Sequence, residues 1–316
     1  MHILFVTANR VGDAVLSSGL LAHLAKRHPN ARITIAAGPA AASLFRNTPG
    51  LERLIILEKK RWRLHWFSLW TKCIMRRWDI VVDLRRSMLT YLLLAKSRHV
   101  LPRPERDMHR VELIAETLKN ETVSLAPVLW PDEPSKHLTK DVPMIAIGPA
   151  ANWVGKQWRS ERFGELAARL IDKDGPFPGA LVAIFANSAE RYQVTPVLNA
   201  LPDDQLIDLV GVGDLAVVGG YLQQCEFFVG NDSGLMHMAA AAKVPTIGLF
   251  GPSRAELYAP WGDACAFIRT PESYDDLVGA PGYNHRTTGT LMDGLSVDAV
   301  FAACLALAEK TRRNER

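Results

Sequence analysis

Short apolar runs rich in β-branched and aromatic residues alternate with amphipathic stretches almost from end to end of this chain, and that alternation is its tightest constraint. In the first half, Ile3–Thr7, Ile33–Ala37, Leu54–Leu57 and Ile80–Leu84 read as strands, with helices expected around 13–27, 40–46, 65–77, 87–95 and 108–119. The stretch Ala126–Pro143 contains proline and has little periodicity. The alternation then restarts with strands Met144–Ile147, Leu181–Phe185, Leu206–Leu209, Glu226–Val229 and Thr246–Phe250. Helices 161–172, 189–199, 214–224 and 233–242 separate them, and a last helix lies near 296–311. Repeated β-α-β order implies parallel sheets covered by helices on both faces. A restart after a proline-bearing linker implies two such sheets. The expected fold is therefore α/β, with two doubly wound Rossmann-like domains, 1–135 and 136–316, facing each other across a cleft and the last helix free to pack back on the first.

Several classes drop out early. No apolar run reaches the roughly 18 residues of a membrane span. Met1-His2-Ile3-Leu4-Phe5-Val6 reads as a first strand, without the basic start and long apolar stretch of a signal peptide. Cys73, Cys225, Cys265 and Cys304 are widely spaced and form no CxxC pair, so buried thiols in a reducing, cytoplasmic compartment are expected. The net charge of +4 conceals an asymmetry: residues 59–110 hold fourteen Lys/Arg against four acids, a net of +10, which leaves −6 for the rest. A basic region on an otherwise mildly acidic protein points to an anionic partner.

In doubly wound domains ligands sit at the carboxyl ends of the strands, so the loops after strands carry the chemistry. After the first strand comes Thr7-Ala8-Asn9-Arg10-Val11-Gly12-Asp13. Asp13 reads either as a helix cap or as a carboxylate able to take a proton from an attacking hydroxyl. The absence of G-x-G-x-x-G there weakens a dinucleotide oxidoreductase. After Met144–Ile147 comes Gly148-Pro149-Ala150-Ala151-Asn152-Trp153-Val154-Gly155-Lys156-Gln157-Trp158, where small residues permit close backbone approach and Lys156 offers a point charge for a phosphate. After Glu226–Val229 comes Gly230-Asn231-Asp232-Ser233-Gly234-Leu235-Met236-His237, running into an Ala-rich helix whose N-terminus suits a diphosphate. Ser233 is not read as a hydrolase nucleophile, since G-x-S-x-G is absent. Alone, His237 reads more readily as structural than as a ligand contact. Being negative, Asp232 is expected to meet ribose or backbone, not phosphate.

Val11-Gly12-Asp13, Lys156-Gln157-Trp158, the block Gly230–Ala241, Pro245-Thr246 and Leu249-Phe250-Gly251-Pro252, in that order, resemble glycosyltransferase family 9, the heptosyltransferase-like enzymes of lipopolysaccharide core assembly. The resemblance implies a GT-B fold, an acceptor-binding N-terminal domain and a donor-binding C-terminal domain. It implies inverting transfer of a heptose from ADP-heptose in the family's manner, with no metal and no other cofactor. Asp13 takes the role of base and Lys156 that of the donor-phosphate lysine. Gly12, Asn152, Asp232, Ser233, Gly234, Leu235 and His237 fall at donor-binding positions. The chain departs from the family pattern at Ser17-Ser18-Gly19-Leu20, which lacks a proline, and at Ala150-Ala151-Asn152, which is poor in hydroxyls.

The segment Lys59–Trp70 interleaves cations with Trp and Phe, and Arg61, Arg63 and Trp66 are candidates for contact with an anionic glycolipid acceptor or the inner face of the cytoplasmic membrane. A helix with snorkelling arginines and buried tryptophans is the plainer reading. No nucleic-acid-binding module is recognisable. A GT-B nucleotide-sugar epimerase and a non-catalytic sugar-nucleotide-binding protein are the competing functions.

Overall fold

A computed structural model of the chain describes residues 1–59, 61–118, 125–134, 138 and 142–314, with backbone alone at 63 and 314. The chain divides into two compact units, Met1–Asp132 and Glu133–Arg316. The 135/136 boundary read from the sequence lies outside the described residues.

The first unit comprises β1 (His2–Val6), α1 (Val11–Arg27), β2 (Arg32–Ala37), β3 (Leu51–Ile56), α2 (Leu64–Cys73), β4 (Trp78–Asp83), β5 (Ala95–Val100) and α3 (Arg110–Ala115). Its five strands are all parallel in the order β3-β2-β1-β4-β5. Leu4, Val6, Ile55, Leu69, Trp78 and Val81 build a core cluster against one face. Small residues on α1 let the segment 125–128 pass close by. A Cβ on Gly19 would stand 2.1 Å from the Leu125 carbonyl oxygen, and the Ser18 hydroxyl accepts from Val128 N–H at 2.8 Å. Two expected helices are tighter than predicted, 3₁₀ turns at Pro39–Phe45 and Met88–Leu92, and the second is also shorter. The apolar run behind the second prediction is largely solvent-facing, and the chain leaves it to form β5, an edge strand that the sequence pattern does not show.

The second unit comprises β6 (Met144–Gly148), α4 (Ser160–Ile171), β7 (Leu181–Ile184), α5 (Arg191–Leu198), β8 (Leu206–Asp208), α6 (Leu215–Leu222), β9 (Phe227–Asn231), α7 (Gly234–Ala241), β10 (Thr246–Phe250), α8 (Ala255–Tyr258), β11 (Cys265–Arg269), α9 (Tyr274–Val278) and α10 (Val297–Asn314). Its six strands are again all parallel, in the order β11-β10-β9-β6-β7-β8. Counted from β6, this is the 3-2-1-4-5-6 order of a dinucleotide-binding fold. The central strands β6, β9 and β10 are buried at every residue, which explains their near-continuous apolar sequence. In α4 the buried residues Phe163, Leu166, Ala167, Leu170 and Ile171 recur at helical spacing and face the core. The last helix, α10, packs on α4, β10 and β11 within this unit.

Candidate functional site

In the second sheet the chain winds outward from β6 through β7 and β8, then crosses back to β9 beside β6. The strand order therefore reverses between β6 and β9, and the loops leaving these strands diverge there to leave a crevice. Gly148 and Gly230 are register partners at their carboxyl ends. A Cβ on Gly230 would lie 2.7 Å from the Gly148 carbonyl oxygen, and one on Gly148 would lie 2.8 Å from the Phe228 ring. Only glycine fits both places, and the paired strand ends stay thin under the crevice.

Asn231, fully buried at the end of β9, fastens the two loops together. Its side-chain amide donates to the Pro149 carbonyl at 2.7 Å, and its side-chain oxygen accepts from the Trp158 backbone N–H at 3.1 Å. Trp158 is itself anchored, its indole N–H donating to the Leu295 carbonyl at 2.8 Å and its ring meeting Phe163 edge-on at 4.8 Å. Gln157 donates to the Ala151 carbonyl and to Gln193, both at 2.7 Å. Trp153 donates to the His285 carbonyl at 3.0 Å and stacks on the His285 ring. The lysine loop is thereby held from both sides, and Lys156 forms an ion pair with Asp232, the residue after β9.

Ser233 takes the cap position of α7 without making a side-chain cap bond, and its hydroxyl is buried with no hydrogen-bond partner among the described residues. The Ser253 hydroxyl, after β10, is in the same condition. A buried hydroxyl without a partner costs roughly 1–3 kcal/mol, so these two, on the loops after β9 and β10, are available to bond a polar ligand. The first N–H groups of α7 and its positive dipole end lie at the same loop, next to the Lys156 ammonium. Of the sequence candidates in this unit, Lys156, Asp232, Ser233 and Gly234 converge here. Leu235 is close behind, since a Cβ on Gly148 would lie 3.1 Å from its side chain. His237 is buried four residues into α7 and Asn152 is exposed on the β6 loop.

Residues 90–278 match the family model for glycosyltransferase family 9 (heptosyltransferase). The chain belongs to glycosyltransferase family 9. It is 25% identical over 318 residues to lipooligosaccharide heptosyltransferase 2 of Haemophilus influenzae, covering 86% of this chain and 89% of that protein. It is 31% identical over 163 residues to lipopolysaccharide heptosyltransferase 2 of Escherichia coli, covering 47% and 45%. In fold it is similar to the solved E. coli ADP-heptose lps heptosyltransferase II, with a TM-score of 0.76, 24% identity and coverage of 99% and 100%. The E. coli heptosyltransferase WaaC with ADP gives 0.74 at 18% identity, with coverage of 97% and 100%. The expected GT-B architecture of two Rossmann-like units is thus observed, and the enzyme is a glycosyltransferase.

In the first unit of this glycosyltransferase the strand order reverses between β1 and β4. Helix α1 begins at Val11, so Arg10 holds the cap position and Asp13 lies inside the first turn beside Gly12. Asp13 faces Arg110 from α3 at 3.5 Å. After β4, the fully buried Asp83 carboxylate accepts from Arg85 N–H at 2.8 Å, from Ser87 N–H and hydroxyl at 2.7 Å, and from the Thr90 hydroxyl at 3.2 Å. Arg85 donates to the Asn9 side-chain oxygen at 2.9 Å and lies over the Trp66 ring at 4.6 Å. Trp66 therefore braces a cation and packs on the core, while Arg61 is exposed and the Arg63 side chain lies outside the described residues. Sequence reasoning gave no individual role to Asn231, Asp83, Arg85 or Ser253. The available signal was a polar or charged residue at, or just beyond, the end of an apolar strand.

Proposed function

We propose that the chain transfers a heptosyl group from ADP-heptose to a lipopolysaccharide core or related anionic glycolipid, with inversion and without a metal. One observation carries the reading: Lys156, the α7 N-terminus and the partnerless Ser233 hydroxyl converge at the switch point of the second sheet, within the segment matching family 9. Together they offer a cation, backbone donors and a hydroxyl to a diphosphate. The relatives' names supply heptose, and the resemblance to WaaC with ADP favours adenine as the base. On this reading the second unit binds donor and the first binds acceptor. The acceptor oxygen attacks the anomeric carbon, the bond from that carbon to the phosphate oxygen breaks, and its electron pair departs with ADP. Asp13 takes the hydroxyl proton. Lys156 exchanges Asp232 for the departing diphosphate.

The cytoplasmic face of the inner membrane is the proposed place of action. Trp66, Phe67, Trp70, Leu89 and Leu92 line an apolar hollow of about 350 Å³, with Phe67 62% and Leu92 65% exposed at its rim. Trp62 nearby is 85% exposed, and the surrounding segment carries the +10 charge. Exposed aromatics among cations suit an anionic lipid surface. No helix among the described residues is long and apolar enough to cross a membrane.

Calorimetry and product analysis with ADP-heptose, UDP-sugars and GDP-sugars test the proposal. At 100 times its Kd the true donor raises apparent stability by about 2.7 kcal/mol. Release of ADP together with a glycosylated lipid supports transfer. An epimerised nucleotide sugar formed without acceptor would overturn it, as would tight nucleotide binding with no turnover on any acceptor.

A further inference from the structure

We infer that Arg85 holds an anionic group of the acceptor, a carboxylate or a phosphate, beside the hydroxyl that Asp13 deprotonates. The inference rests on the transferase reading above. Arg85 and Arg86 are adjacent yet differently placed. Arg86 adopts the left-handed backbone region, φ 52°, and its guanidinium donates to the carbonyls of Leu101 and Pro102. That arginine serves the chain. The four hydrogen bonds received by Asp83 fix the start of the same loop, and Arg85 is directed to the other side, toward the segment between β1 and α1.

There its guanidinium meets Asn9, four residues before Asp13 in one short segment, and lies on the Trp66 ring. The strand order reverses between β1 and β4, so this segment and the Arg85 loop flank the first unit's own ligand crevice. An arginine set over an indole at 4.6 Å and tied to Asn9 is held in place, and its planar guanidinium fork suits recognition of an oxyanion. Burial lowers the Arg85 pKa somewhat and the Asp83 carboxylate opposes that, so the group remains a cation at any physiological pH.

Steady-state kinetics at saturating donor test the assignment. Acceptors are truncated lipopolysaccharides bearing no heptose or one heptose, each used intact, dephosphorylated, and with carboxylates amidated. Wild type is compared with R85Q and R85K, and thermal melting establishes that each variant is folded. On the intact acceptor R85Q raises KM about 10- to 100-fold, while kcat and ADP affinity stay within about twofold. R85K recovers part of the loss. Removing the group that Arg85 binds raises the wild-type KM and abolishes the difference between wild type and R85Q, so the neutralised acceptor that erases the difference identifies phosphate or carboxylate. A defect equal on intact and both neutralised acceptors shows a purely structural arginine and overturns the assignment, as does an unchanged KM. Absence of transfer by wild type from every nucleotide sugar would overturn the transferase reading and this assignment with it.

Discussion

Asn231 and Trp158 are 73 residues apart, yet the Asn231 side-chain oxygen accepts the Trp158 backbone N–H at 3.1 Å while its amide group donates to Pro149. One buried amide thus closes the β6 loop on both sides of Lys156. Asn231→Ala leaves the Trp158 N–H and the Pro149 carbonyl without this partner and is expected to cost about 3 kcal/mol, read as a lower urea midpoint. Asn231→Asp is expected to fare no better. It keeps the acceptor but sets a buried carboxylate against the Pro149 carbonyl oxygen.

Lys156→Ala is expected to weaken ADP binding about 10- to 100-fold by calorimetry, with Lys156→Arg retaining part of the affinity. The salt dependence of binding should flatten in the alanine variant, since an ammonium–phosphate contact is lost. Equal ADP affinity in wild type and K156A would remove the lysine from the donor site.

Asp13→Asn preserves shape at the first turn of α1 and removes the proposed base. Its expected signature is a fall in kcat of about 10²-fold or more with unchanged ADP affinity. Melting should shift little, because the Asp13 ion pair with Arg110 is partly solvated at 3.5 Å.

Burial, above all, shapes the thiols. It pushes Cys73 and Cys265 up to about 11, and Cys225 and Cys304 higher still. Iodoacetamide at neutral pH is therefore expected to leave the four cysteines of the folded protein largely unmodified and to label all four after denaturation. The fold favours the neutral thiol, so this contribution to stability is full below the ordinary thiol pKa of about 8.5 and is lost as pH rises toward 11. A melting midpoint that falls across that alkaline window, and less so in a C225A variant, checks the sign.

The second sheet was largely legible in the sequence because its strands β6, β9 and β10 are buried on both faces and read as unbroken apolar runs. The edge strands β5 and β11 were not. In Ala-Lys-Ser-Arg-His-Val of β5 half-exposed positions alternate with exposed ones, so composition gave no apolar signal. The opposite error arose at Met88–Leu94, an apolar run read as a helix, where Met88 is 83% and Leu94 60% exposed. Hydrophobic character alone does not reveal whether a residue is covered by its own chain. The individual site residues stood out as motifs, but their partnerships did not. Nothing local in Lys156 announces a carboxylate 76 positions later. Nor does anything near Trp66 announce that it supports Arg85. Such pairings follow from strand order, which sequence periodicity leaves open.

On the donor-site reading proposed above, the ion pair between Lys156 and Asp232 supplies a resident counter-ion. A singly charged solute gains little by competing with a carboxylate tethered beside the ammonium, whereas a nucleoside diphosphate brings two or more negative charges and the donors of α7 besides. The same carboxylate is at hand when the sugar has gone, ready to reclaim the lysine as the spent nucleotide loosens. On that reading Asp232 acts as a valence filter on entry and as a built-in displacer on exit, tying turnover to anion exchange within a single loop.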